Sequence, residues 1–516
     1  MQKETHVLLR IGMTVCTYDV LRKGGVALNQ WGIRTGTPSP EYPDDMIAII
    51  KGGLPQGKGK KKILIIGAGL SGLVAATLLK KAGHEVTLLE GNNRIGGRVY
   101  TKRSPFSEGN YLDMGAMRIP DNHRLVMEYI RKFNLPTNPF LNTTPYDKLY
   151  VNGVYTTVDE YEGNPDILGF PLTQSEKGKT AEQLFLDTTK PFIDAYQSGS
   201  KEERKRLIER FSNYSMGRFL RESPYGNPLS LNAIRMISVL QGIEGFPEFS
   251  FSDILTDIIY PIFRKETKFN QITGGNDRLP YAFKEGLKDN LLMNQQVYRI
   301  VQDRDGVEVY TRNGKPGIYR GDYALVTVPF TVLQSIEIEP YSSISFKKWQ
   351  AITELTNVPA VKVGIEFKNR FWEEMKIGNI ISDLPSRFTY VPSNGIGSGR
   401  PGVLLASYSW GQNALLFNSM SKEEIFANVM KDLEKFYGPR VYSEVSSYAV
   451  YNWSVNPFSA GCFTLFTPGQ ETDFADYIQH PEGRLHFAGE HTSSFHGWME
   501  GAIESGIRAA YELNER

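Results

Sequence analysis

Six consecutive residues, Gly67-Ala68-Gly69-Leu70-Ser71-Gly72, carry the spacing of a phosphate-binding turn. Each glycine has its own physical task. Gly67 allows a tight strand-to-helix turn, Gly69 lets backbone approach a pyrophosphate with no side chain between them, and Gly72 lets helix and strand pack closely. The free N–H groups and the positive end of the helix dipole then face the phosphates. Glu90 follows about 20 residues later, where a carboxylate can accept both hydroxyls of a ribose. The elements that must hold these groups are also readable. Ile63 to Ile66 is a short β-branched run that predicts a buried parallel strand. Leu73 to Ala82 predicts a helix, closed by Lys80, Lys81 and Gly83. Val86 to Leu89 predicts a second strand that ends on Glu90. A lone glycine turn is a weak signal, but strand, turn, helix, strand and acid in this order point to dinucleotide binding. A nicotinamide and a flavin dinucleotide both fit these residues.

The residues that follow, Arg94-Ile95-Gly96-Gly97-Arg98, resemble the second fingerprint of the flavin-containing amine oxidase superfamily. In that superfamily the paired glycines and the next arginine lie against the FAD pyrophosphate. The bland alternative is a glycine turn with two solvated arginines. The resemblance narrows further downstream. Tyr111 to Phe133, Asp383 to Phe388 (DLPSRF), and the segment from His486 to the helix around Ile507 are similar to the L-amino acid oxidases, venom-type enzymes included. The similarity runs from about residue 45 to the C-terminus, and residues 1–44 fall outside it.

The resemblance implies FAD as cofactor and a set of site residues. Arg118 matches the arginine that grips the substrate carboxylate, a task suited to a rigid bidentate guanidinium; the alternative is a structural ion pair. Tyr408 falls where a tyrosine hydroxyl meets the same carboxylate, although a tyrosine on a strand is commonly core. Lys362, in PAVKVGIEF, matches a catalytic lysine that reaches flavin N5 through a water. A lysine inside an apolar strand is costly unless it faces a polar cavity, the alternative being a surface-facing strand position. Gly497 and Trp498 match a wall of the active site, and Phe463 matches a side-chain-pocket residue, so the pocket is expected to suit apolar or aromatic side chains. The cofactor set implied is Gly67, Ala68, Gly69, Ser71, Gly72, Glu90, Gly97, Arg98, Met117, Arg118, Val297, Gly489, Glu490, Trp498 and Met499. One departure stands out. Venom-type enzymes carry a histidine in the helical insertion, and the corresponding stretch Thr256 to Glu266 has none. Of the seven histidines, His491 and His496 are nearest the flavin motif, and both read as structural.

The expected reaction is FAD-dependent oxidative deamination of an L-amino acid, giving a 2-oxo acid, ammonia and hydrogen peroxide. The rivals are a primary-amine or polyamine oxidase, an amino acid 2-monooxygenase, and a flavin-binding interaction module without turnover. Composition bounds the rest. With 58 basic and 57 acidic residues the formal net charge is +1, which argues against a nucleic-acid partner. No apolar run reaches the ~18 residues that span a bilayer, and no clean signal peptide is readable, so a cytoplasmic protein is expected. Cys16 and Cys462 lie far apart and outside any metal-spacing motif, so neither a disulfide framework nor a metal site is expected. A small-molecule amino acid and O2 are the expected partners, and a homodimer is expected from the resemblance alone.

The expected fold class is α/β: a discontinuous, Rossmann-like FAD-binding domain, a mixed-sheet substrate-binding domain and an inserted helical subdomain. The segments are 1–60 as N-terminal segment and linker; 61–100, 278–354 and 479–516 for FAD; 101–171 and 355–478 for substrate; and 172–277 for the helices. Supporting cues include a helix within Tyr42 to Leu54, a helix from His123 to Phe133, and a hairpin from Leu149 to Tyr155 on an Asn-Gly turn. Strand character returns over Gln296 to Val309, Tyr323 to Val328, Ala360 to Phe367, Gly402 to Tyr408 and Arg484 to Phe487. Ser421 and Glu424 form a capping box for a helix to Tyr437, and a last helix runs from about Gly497 to Asn514.

Overall fold

The structure is a computed structural model, and it describes residues 39–243, 247–255 and 267–516, with the backbone of 27–28 and 34–35. Cys16 and the whole Thr256 to Glu266 stretch that lacks the histidine lie outside the described residues.

Two sheets organise what positions the site. The first has five strands, all parallel, in the order Leu291–Leu292, Glu85–Leu89, Lys62–Ile66, Tyr323–Val326 and Leu485–Phe487. Its inner strand KILII is buried from Ile63 onward, as a parallel strand covered on both faces requires. Leu64 and Ile66 pack into one apolar cluster while Ile63 and Ile65 pack into another on the opposite face. The helix after the glycine turn runs Leu70–Lys81, three residues earlier than expected. Gly69 is its N-cap, so Ser71 and Gly72 lie inside its first turn. It packs against the last helix, Met499–Glu515, where a Cβ on Gly506 would come within 2.6 Å of the Ser71 carbonyl.

The second sheet is mixed and has seven strands, in the order Val154–Thr157, Lys148–Val151, Ile380–Ser382, Phe388–Tyr390, Gly402–Trp410, Ala360–Phe367 and Val445–Asn452. Its strand Ala360–Phe367, paired on both sides, is buried at all eight positions. The expected hairpin is present, with Val154 opposite Val151 and positive φ at both Asn152 and Gly153. The capping box of Ser421 and Glu424 is formed.

Between the sheets in sequence come the helices Ala181–Ser198, Lys201–Phe211, Met216–Glu222 and Leu231–Gln241. They close on their own aromatic core, in which the Phe219 and Phe251 rings stack at 3.5 Å. One expectation needs correcting. Gln296 to Val309 is not a single run but an antiparallel pair, Gln296–Gln302 and Val307–Arg312, in a separate four-stranded sheet. Asp303 turns the chain, its carboxylate accepting from the N–H groups of Asp305 and Gly306.

Candidate active site

A single cavity of about 1580 Å³ runs from the glycine turn, between the two sheets, and out along the helix Ala181–Ser198. The turn is built as the glycine spacing requires. Gly67 sits at φ +106°, and a Cβ on Gly72 would lie 2.0 Å from the Gly67 carbonyl oxygen. A Cβ on Gly69, by contrast, would meet nothing within 4 Å, because that face opens on the cavity. Gly97 stands opposite, at φ +56°, with its Cβ direction 3.3 Å from the Gly69 Cα. This facing pair of bare backbones forms a cradle open to the cavity.

Glu90 also borders the cavity, and its carboxylate closes the turn by accepting from the Ala68 N–H at 2.7 Å and the Asn92 N–H at 2.8 Å. Burial raises its carboxyl pKa. Arg98 donates to Glu490 at 2.5 Å and to the Cys462 carbonyl at 3.2 Å. Glu490 accepts in turn from the Gly497 N–H at 2.8 Å. Burial would raise the Glu490 carboxyl, but Arg98, His496 and His491 outweigh it and hold the pKa below its ordinary value. One ion pair therefore ties the second glycine motif to the C-terminal loop that carries Gly497 and Trp498.

Next along the cavity come Met117 and Arg118. Arg118 donates to the Asn142 side-chain oxygen at 2.6 Å and lies 5.6 Å from the Phe269 ring. Tyr408 enters from the mixed sheet, directly opposite Lys362 in the antiparallel register. The Lys362 ammonium donates to the carbonyls of Gly115 at 2.7 Å and Asp113 at 3.1 Å, and stands 4.4 Å over the Tyr408 ring. Burial pulls its pKa down to about 7 and raises that of the Tyr408 hydroxyl. Burial also pushes the neighbouring Cys462 thiol up to about 11.

Most of the expected residues meet at this cavity: Gly67, Gly69, Ser71, Glu90, Gly97, Arg98, Met117, Arg118, Val297, Tyr408, Phe463, Gly489, Glu490, Gly497, Trp498 and Met499 all line it. Ala68, Gly72 and Lys362 do not; they stand one layer behind, Lys362 against the carbonyl of the lining residue Gly115. Several lining residues escaped sequence reasoning. Asn142 orients Arg118 from a loop with no motif. Phe140, Phe269, Phe388 and Trp410 complete an aromatic chamber around Tyr408 and Trp498. His123, which burial holds at a pKa of about 3, sets its ring edge-on to Trp498 at 5.0 Å. His496 also lines the cavity, and its Nδ1 is 3.1 Å from Asp253.

A parallel sheet with a bare-backbone cradle, continuous with a chamber to which Phe140, Phe269, Tyr408, Trp410, Trp498 and Arg118 contribute, is the arrangement of a dinucleotide-dependent oxidoreductase. FAD fits the residues present: the cradle is open where a Cβ would obstruct it, and the helix Leu70–Lys81 begins there, with Gly69 as its N-cap. Comparison with known proteins is specific. The profile of the family described as flavin containing amine oxidoreductase matches residues 70–514. The chain is 45% identical over 476 residues to YobN of Bacillus subtilis (strain 168), a candidate L-amino-acid oxidase, covering 91% of this chain and 98% of that protein. It is 36% identical to an L-amino-acid oxidase of Siganus canaliculatus (92% and 89% covered) and 33% identical to one of Naja atra (91% of each). Among solved structures, a double mutant of putrescine oxidase superposes with a TM-score of 0.70 at 19% identity (88% and 99% covered). Cyclohexylamine oxidase from Brevibacterium oxydans follows at 0.69 and 21% (89% and 99% covered). The chain belongs to the flavin-containing amine oxidoreductase family and is an FAD-dependent oxidoreductase. Among the described residues no helix is long and apolar enough to cross a membrane.

Proposed function

We propose that the protein oxidatively deaminates L-amino acids with apolar or aromatic side chains, giving a 2-oxo acid, ammonia and hydrogen peroxide. The observation that carries this reading is Arg118, a guanidinium held by Asn142 at 2.6 Å in a cavity that Phe140, Phe269, Tyr408 and Trp498 also line. An amine substrate has no use for that charge, whereas a carboxylate does. The relatives named as L-amino-acid oxidases of Siganus canaliculatus and Naja atra support the same assignment.

On this reading Arg118 and the Tyr408 hydroxyl hold the substrate carboxylate, and the Gly497 carbonyl accepts from the amine. Three attachments fix Cα in one orientation, so much of the barrier is met by positioning. The rings of Phe463 and Trp498 exclude water around Cα. Lys362, with a pKa of about 7, stands behind the lining residue Gly115 and would exchange a proton near neutrality with a water admitted between it and the cavity. FAD, when bound, supplies the oxidant, accepting a hydride from the substrate and passing the electrons to dioxygen. The imino acid is hydrolysed by water after release.

The test is peroxide release from the purified holoenzyme with L-phenylalanine, D-phenylalanine and phenethylamine, in wild type and Arg118→Met. Turnover of the L-acid alone is expected. Removing a charge that pairs with a desolvated carboxylate costs roughly 2–5 kcal/mol, so kcat/KM should fall by at least an order of magnitude. Turnover of the amine with Arg118→Met unaffected would show instead a primary-amine oxidase in which Arg118 is structural.

A further inference from the structure

We propose that Gly242 sets the far wall of the side-chain pocket, and with it the largest side chain the site accepts. The proposal rests on the L-amino acid oxidase reading above.

Gly242 follows the helix Leu231–Gln241 as its C-cap, at φ +73°, and lines the cavity. A Cβ there would stand 2.9 Å from Phe388 Cζ and 3.2 Å from Trp410 Cζ3. These two rings are 5.2 Å apart, and Trp410 is 4.6 Å from Tyr408. A continuous row of rings therefore runs from the carboxylate-holding Tyr408 to Gly242. All three rings line the same cavity, and they stand on adjacent strands of the mixed sheet, with Phe388 opposite Tyr408.

The helix has little freedom to retreat. Arg387, buried, donates from Nη2 to the Val239 carbonyl at 3.0 Å and so ties the last helical turn to the sheet. A side chain at 242 must then displace Phe388 or Trp410, and each ring that moves takes volume from the chamber. The left-handed backbone alone does not explain the glycine. Asn134, Asn152, Asn294 and Asn313 all adopt positive φ in this chain, so asparagine serves where only the backbone matters. At 242 the rings leave no room for it.

The test is kcat/KM for L-tryptophan and L-leucine, measured by peroxide release from the FAD-loaded enzyme. Gly242→Ala is expected to lower the tryptophan-to-leucine ratio about ten-fold, since one methylene in an apolar pocket is worth about 10–200-fold. Phe388→Leu is expected to raise the ratio, and the double variant to recover the loss. A ratio within about two-fold of wild type in both single variants overturns the proposal. Should Gly242→Ala fail to fold, Phe388→Leu decides alone: a raised ratio supports the wall and an unchanged one overturns it. Wild-type enzyme that oxidises no L-amino acid would overturn the oxidase reading itself, which separates the two failures.

Discussion

Lys362→Met isolates the energetic cost of placing an ammonium in the core of the mixed sheet. In the native state Lys362 is 1% exposed, bonded to two backbone carbonyls, and has its pKa pulled from 10.5 to about 7 by burial. The folded-state pKa lies below the unfolded one. Between pH 7 and 10.5 the unfolded chain therefore binds the extra proton, and stability rises with pH across that window. Each pH unit in it is worth about 1.4 kcal/mol, so the rise from pH 7 to 9 attributable to Lys362 is about 2–3 kcal/mol. Methionine carries no proton, so Lys362→Met loses this dependence. Guanidinium unfolding of wild type and variant at saturating FAD, at pH 7, 8 and 9, should show the stability difference shifting toward the wild type by that amount. Other titrating groups, such as the buried Lys348, are common to both proteins and cancel in the difference. A difference that stays flat from pH 7 to 9 would refute the argument that burial lowers the pKa of this lysine. The same substitution should remove an acid limb near pH 7 from kcat/KM.

Three further expectations follow from the geometry. Gly69→Ala should weaken FAD binding by at least about ten-fold in a fluorescence titration while leaving the apoprotein's melting temperature near wild type, because the added methyl enters open cavity space. Gly72→Ala should do the reverse and destabilise the apoprotein by about 2 kcal/mol or more in urea unfolding, because its methyl would collide with the Gly67 carbonyl. Glu471 accepts from Ser252, and burial together with Asp253 lifts its carboxyl to about 7. A raised acid contributes stability that is lost as pH climbs from its unfolded value through 7, so Glu471→Gln should raise the melting temperature at pH 8 and leave it unchanged at pH 4.

Local chemistry was legible in the sequence; distant contact was not. The turn from Gly67 to Gly72 reads correctly because its partners, Glu90 and the Gly67 carbonyl, lie within one strand-helix-strand unit. The Asn152-Gly153 turn reads for the same reason. Lys362 was legible as a charge in an apolar strand, but not the carbonyls of Asp113 and Gly115 that receive it. The overlooked break after Gln302 carries a turn signal, Asp305-Gly306, that strand periodicity on either side masked. Gly242 was invisible because the rings that require it stand on strands far downstream. A glycine's meaning there depends on tertiary packing, which no local pattern encodes.

The order in which the parallel sheet is completed has a consequence for biosynthesis. Its first two strands, at 62–66 and 85–89, emerge early, but the strand that covers the far edge is Leu485–Phe487. The helix that buries the turn's own helix is Met499–Glu515. Chains are made from the N-terminus at about 5–20 residues per second, so the glycine turn waits tens of seconds for its last supports. During that wait the apolar face of Leu70–Lys81 is covered by earlier residues such as Met46, Ile50, Ile63 and Leu88, but lacks Ile503, Ile507 and Ala510 of the last helix. The face that receives the last helix is therefore completed only when the C-terminal residues have been made.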